Sequence, residues 1–214
     1  LLPLTAFFHS RFERTFARYF TPRHAFWKTF DAAWLGASAA AVRDAALRDI
    51  SLATFQRVSA QKCAAGKIPV AAVCHRLGAG RQLAVCLRVC DLLGCVVQMA
   101  DDLVDWPADA LRESGRTYVL CEAERRRRPG EDTAGWLLRE GLRRIQRRCD
   151  GWLDELSGLS EQLGCEPLGV HVQQRRRRLA LEVEHMRAVL GALAPLTGPW
   201  KRAVNEQRRA SARL

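Results

Sequence analysis

Asp101, Asp102 and Asp105 are the residues best equipped for chemistry, with Gln98 just before them and Asp109 one turn after. On a helix of 3.6 residues per turn, Asp101 and Asp105 stack on one face with Asp102 beside them. Carboxylates this close repel one another, which is tolerable only in open solvent or where cations neutralise them. Their hard oxygen donors suit Mg²⁺, which keeps several waters and is typically shared between one or two carboxylates and substrate phosphates. A solvated acidic helix end is the bland alternative. It is disfavoured here, because an apolar run from Leu92 to Val97 leads directly into the cluster in a chain of net charge +11.

The elements that must position this cluster are expected to be helices. The 214 residues suffice for one domain with a real core, and the chain is rich in Ala, Leu and Arg with only two Tyr. No apolar run reaches the ~18 residues that cross a bilayer, so no stable membrane insertion is expected. Eight cysteines without a C-x-x-C pair or zinc-like spacing suggest a reduced, cytoplasmic protein. Of the 34 basic residues 30 are Arg, a bias that weakens any argument from Arg count alone.

In chain order, Phe7, Phe8, Phe12, Phe16, Tyr19, Phe20, Phe26, Trp27, Phe30 and Trp34 fit two amphipathic helices broken at Thr21-Pro22. This stripe reads as core or subunit interface. Residues 38–65 read as a helix or pair, with Val42, Ala46, Ile50 and Leu52 on one side. Gly66 and Pro69 then punctuate the chain. Helices follow over 70–77 and 82–105, joined at Gly78-Ala79-Gly80, with Pro107 ending or kinking the second. Further helices are expected over 117–127, 131–163 with breaks, and 167–193. A frayed tail is expected from Pro195. One all-helical unit over 1–194 is the organisation implied.

Gln98-x-x-Asp101-Asp102-x-x-Asp105 resembles the second aspartate-rich motif of the trans-polyprenyl diphosphate synthases. Phe55-x-x-Val58-x-x-x-Lys62-Cys63-Ala64-Ala65 resembles their aromatic-then-K-T-A-A segment, with Cys in place of Thr. His75-Arg76-Leu77-Gly78 and Leu93-Gly94 fall where those enzymes carry Leu-Gly pairs. Gln98, Asp105, Asp109 and Gly115-Arg116-Thr117-Tyr118 are similar to elements of the squalene and phytoene synthases. Overall the chain resembles the class 1 isoprenoid biosynthesis enzymes over roughly residues 50–185, most specifically at 98–118.

The resemblance implies an all-α class I isoprenoid (terpenoid) synthase bundle around a Mg²⁺-diphosphate cavity, and a prenyl diphosphate substrate. It implies Asp101 and Asp105 as metal ligands, Asp102 as a further ligand or its outer partner, and Asp109 as a fourth candidate. Gln98, Lys62, Lys67 and Arg116 are the candidates for diphosphate contact, either lysine matching the family's. Val70, Val73, Val97 and Phe55 are the expected apolar wall.

Such enzymes carry a first aspartate-rich motif facing the second. None precedes Asp101, since Asp44 and Asp49 are five apart and Ala-flanked. The first residue is Leu1, and the expectation is a C-terminal portion completed as a homodimer or by another chain. Two other classes compete. One is a catalytically inactive helical subunit. The other is a nucleic-acid binder using Arg125–Arg128, Arg143-Arg144, Arg147-Arg148 and Arg175–Arg178. Solvated helix faces flanked by Glu122, Glu124, Glu182 and Glu184 account for those runs more simply.

Overall fold

Capping chemistry starts several helices where apolar periodicity breaks. Ser51 accepts a hydrogen bond from the Thr54 amide at 3.1 Å, Thr117 from the Leu120 amide at 3.4 Å, and Asp132 from the Gly135 amide at 2.8 Å. The structure is a computed structural model that describes residues 2–112 and 116–211, with side chains described for 6–44, 47–112 and 116–194. With 83% of the chain helical and no strand among the described residues, it is all-α.

The helices are α1 (Leu2–Phe16), α2 (Phe26–Ala46), α3 (Leu52–Lys62), α4 (Lys67–Arg76), α5 (Gly80–Asp109), α6 (Tyr118–Arg126), α7 (Thr133–Trp136), α8 (Leu142–Leu163) and α9 (Glu166–Ser211). A 3₁₀ turn, Ala64–Gly66, joins α3 to α4, and a π turn, Leu137–Gly141, joins α7 to α8. The 30-residue α5 is the hub, packing against α3, α4, α6, α8 and α9. Leu92, Met99 and Leu103 of α5 meet Val119, Trp136, Leu153 and Leu156 in the larger core. A smaller core joins Phe20, Phe26 and Phe30 to Ile68, Ala71 and Ala72.

Several expectations shift. α2 runs unbroken to Ala46, so Ile50 and Leu52 lie beyond it; Ile50 is buried while Val42 faces outward. Pro107 sits inside α5, which ends two residues later at Asp109; the proline costs the helix its amide bond to the Leu103 carbonyl without ending it at once. α9 continues past Pro195 to Ser211, where a frayed tail was expected. Apolar periodicity signals a packed face rather than backbone hydrogen bonding, so its loss does not end a helix. By length and composition α5 could also cross a membrane, which a search for unbroken apolar runs misses because Arg88 and Asp91 interrupt it. Here its apolar residues serve as the centre of the bundle.

Gly94 lets α3 close on α5: a Cβ there would sit 3.0 Å from Cys63 Cβ and 3.4 Å from the Ser59 carbonyl oxygen. Gly141 is tighter still, since a Cβ would lie 2.7 Å from Cζ3 of the fully buried Trp136. Gly141→Ala is therefore expected to destabilise the fold by about 2 kcal/mol, despite alanine's better helix propensity. Urea unfolding followed by far-UV dichroism checks this; an unchanged midpoint would mean that the π turn adjusts freely.

Candidate functional site

The C-terminal turns of α5 face the end of α2 and the length of α3 across a cavity of about 290 Å³. Its acidic wall is Asp101, Asp102, Asp105 and Asp109, all from α5, with Gln98 beside them. Asp44 of α2 and Lys62 of α3 stand opposite, their Oδ2 and Nζ 2.8 Å apart. Leu47, Ile50, Phe55, Val58 and Tyr118 supply the apolar surface. Phe55 is held by rings on both sides, with centroids 5.3 Å from Tyr118 and 6.0 Å from Trp152.

The four aspartates have different surroundings. Asp101 and Asp105 are exposed to the cavity and make no hydrogen bond or ion pair among the described residues. Asp109 pairs with Arg112 at 3.2 Å, and Arg112 also lines the cavity. Asp102 is buried. Its Oδ1 accepts from Gln98 Nε2 at 3.0 Å and its Oδ2 from the Tyr118 amide at 3.2 Å, so it ties α5 to the first turn of α6. Burial pushes its carboxyl up to about 6, against the pull of those two hydrogen bonds.

The expected basic residues separate. Lys62 is at the cavity. Lys67 is not: it opens α4 and pairs with Asp91 of α5, away from the carboxylates, because the turn at Ala64–Gly66 redirects the chain. Arg116 lines the cavity, but its guanidinium forms a two-pronged pair with Glu124 at 2.7 and 2.6 Å, and its Nε donates to the Arg48 carbonyl at 3.0 Å. That pairing raises the Arg116 pKa and lowers that of Glu124. Gly115 lies outside the described residues. Of the expected apolar wall only Phe55 lines the cavity. Val73 faces outward, and Val70 and Val97 are half-buried and do not line the cavity.

Asp44, set aside above as part of a first aspartate-rich motif, lines the cavity all the same, and Arg112 escaped sequence reasoning. Asp44 meets Lys62 across 18 residues, a separation no local spacing reveals. Arg112 carried a local signal, three residues after Asp109 at helical pairing distance. Lys62→Ala is expected to weaken anion binding at the cavity by about three- to tenfold, whereas Lys67→Ala leaves it unchanged. Pyrophosphate titration of both variants checks this, and equal losses would relocate the site.

Among the described residues, no group of three or more His, Cys, Asp or Glu side chains converges into a ready-made metal cage. Two unpartnered carboxylates one turn apart nevertheless suit a cation that draws its other ligands from water and phosphate. No protein-family model, curated protein or solved structure matches the chain.

Proposed function

We propose that the cavity binds a prenyl diphosphate with Mg²⁺ and that the protein acts in prenyl transfer or diphosphate ionisation. The observation that carries this reading is the pairing of unpartnered carboxylates with an apolar floor in one cavity. Asp101 and Asp105 would hold the metal, and Asp109 lies within the same wall. Mg²⁺, when bound, supplies charge neutralisation to the leaving diphosphate. Lys62 and Arg112 offer N–H donors to phosphate oxygens, and Gln98 and Asp102 fix the wall's geometry. Leu47, Ile50, Phe55 and Val58 exclude water from the carbon next to the diphosphate. At about 290 Å³ the cavity is at the small end for ligand sites, so a long prenyl tail would extend out of it.

A second reading, a non-catalytic helical subunit, is favoured by one observation. Among the described lining residues, Asp44 is the only carboxylate outside α5, and Lys62 already pairs with it. Nucleic-acid binding is less favoured, since Arg125, Arg126, Arg176 and Arg178 of the arginine runs are engaged with Asp49, Glu122, Asp150, Asp154 and Glu182. Incubation with geranyl or farnesyl diphosphate and Mg²⁺, with and without isopentenyl diphosphate, separates the first two. Product supports the enzyme. Mg²⁺-dependent pyrophosphate binding without turnover supports the subunit.

A further inference from the structure

We infer that the face formed by α1 and α4 docks this protein onto an anionic lipid bilayer, independently of the chemistry of the cavity. Phe8, Phe12 and Phe16 recur every fourth residue and so form one ridge along α1. One side of that ridge packs on α2, with the Phe12 and Trp34 centroids 6.1 Å apart and those of Phe16 and Phe30 6.3 Å apart. The other side stays in solvent: Phe7, Phe8 and Phe12 are 57%, 48% and 40% exposed. Beyond Phe16 the ridge runs into an apolar groove of about 380 Å³, lined on its far side by Val73 of α4 and by Leu77 just past the end of that helix, themselves 56% and 75% exposed.

Charge identifies the occupant. Arg11 and Arg14, at i and i+3, flank the phenylalanines on α1; Arg18 and Arg23 follow in the turn after it, and Arg76 borders the groove. All five are exposed, and none forms an ion pair among the described residues. Glu13, the one acidic residue of α1, lies 3.3 Å from His9, and with Asp31 of α2 it lines a groove beside Arg14 and Arg18; two carboxylates against five arginines leave three positive charges unneutralised. Aromatic side chains flanked by unneutralised arginines are the composition of a helix that lies in the interface of an anionic membrane. A second copy seated on the same face through a two-fold axis would gather the arginines of both copies into one interface with too few carboxylates to offset them. An anionic headgroup layer meets the arginines and accepts the phenylalanines together.

Flotation of the whole chain with phosphatidylcholine vesicles, and with vesicles also containing phosphatidylglycerol, tests this. Binding is expected on the second kind at low salt, about tenfold weaker on the first, and weaker again in high salt. Phe8→Ser with Phe12→Ser should lose binding about tenfold, as should Arg14→Glu with Arg18→Glu. Val73→Ser with Leu77→Ser, at the end of α4, should act in the same direction; this pair and the arginine pair change exposed positions that leave the thermal midpoint in place, whereas Phe12→Ser also loses packing on Trp34, so its binding is read below its own melting midpoint. Three results would overturn the inference. They are equal binding to both vesicles, a dimer in light scattering that the Phe8 and Phe12 changes dissociate without any vesicle affinity, and oligonucleotide binding indifferent to those changes with no vesicle binding.

Discussion

Asp105→Ala is expected to lower the Mg²⁺-dependent affinity for pyrophosphate by at least about tenfold, while Asp102→Asn changes it by no more than about threefold. The two residues are neighbours in sequence with opposite surroundings. Asp105 is open to the cavity with both oxygens available, whereas each Asp102 oxygen already accepts a hydrogen bond, from Gln98 and from the Tyr118 amide. A cation that dehydrates reluctantly binds where carboxylate oxygens are presented, not where existing bonds must first break. Titration calorimetry with pyrophosphate at fixed Mg²⁺ measures the difference, with Arg126→Ala as a surface control. Equal heats from wild type and Asp105→Ala would sink the metal assignment. A loss confined to Asp102→Asn would invert the two roles.

The helices around this site were largely legible because each has a buried stripe or a capping residue that sequence exposes. Residues 67–76 and 80–109 are separated by Gly78, which adopts a left-handed φ of 66°. The carboxylate spacing was equally plain, since Asp101 and Asp105 needed only the helical period to share a face. What sequence could not resolve was which way each side chain is used. Asp102 carries the same charge as Asp101, yet its position on the α6 side of α5 turns it from ligand candidate into a tie between helices. Lys62 and Lys67 both fitted the resemblance, and only the turn between them decides which one reaches the cavity. The aromatic stripe divided in the same way: Phe26 and Phe30 are fully buried while Phe7 and Phe8 are not, because helical spacing defines a ridge without saying what covers it.

Asp102 should also leave a signature in stability against pH. Its ordinary carboxyl value of 3.8 applies to the unfolded chain, and burial raises it to about 6 in the fold. Between those values the folded state holds a proton that the unfolded state has lost. Stability contributed by this group therefore falls as pH rises from about 4 to about 6, by about 2–3 kcal/mol, and the cost persists above. Glu122, Glu124 and Glu131 act in the opposite sense, because their arginine partners hold them below the ordinary carboxylate range and their contribution is lost on acidification. Comparing wild type with Asp102→Asn cancels those terms. The asparagine keeps an oxygen for the Tyr118 amide and, with Gln98 turned over, an amide-to-amide bond in place of the carboxylate one. Without Mg²⁺, the variant is expected to unfold about 2 kcal/mol later than wild type near pH 7 and at the same point near pH 4. Urea denaturation at a series of pH values measures this. A stability difference independent of pH would mean that Asp102 titrates alike in the folded and the unfolded chain and that burial imposes no such cost.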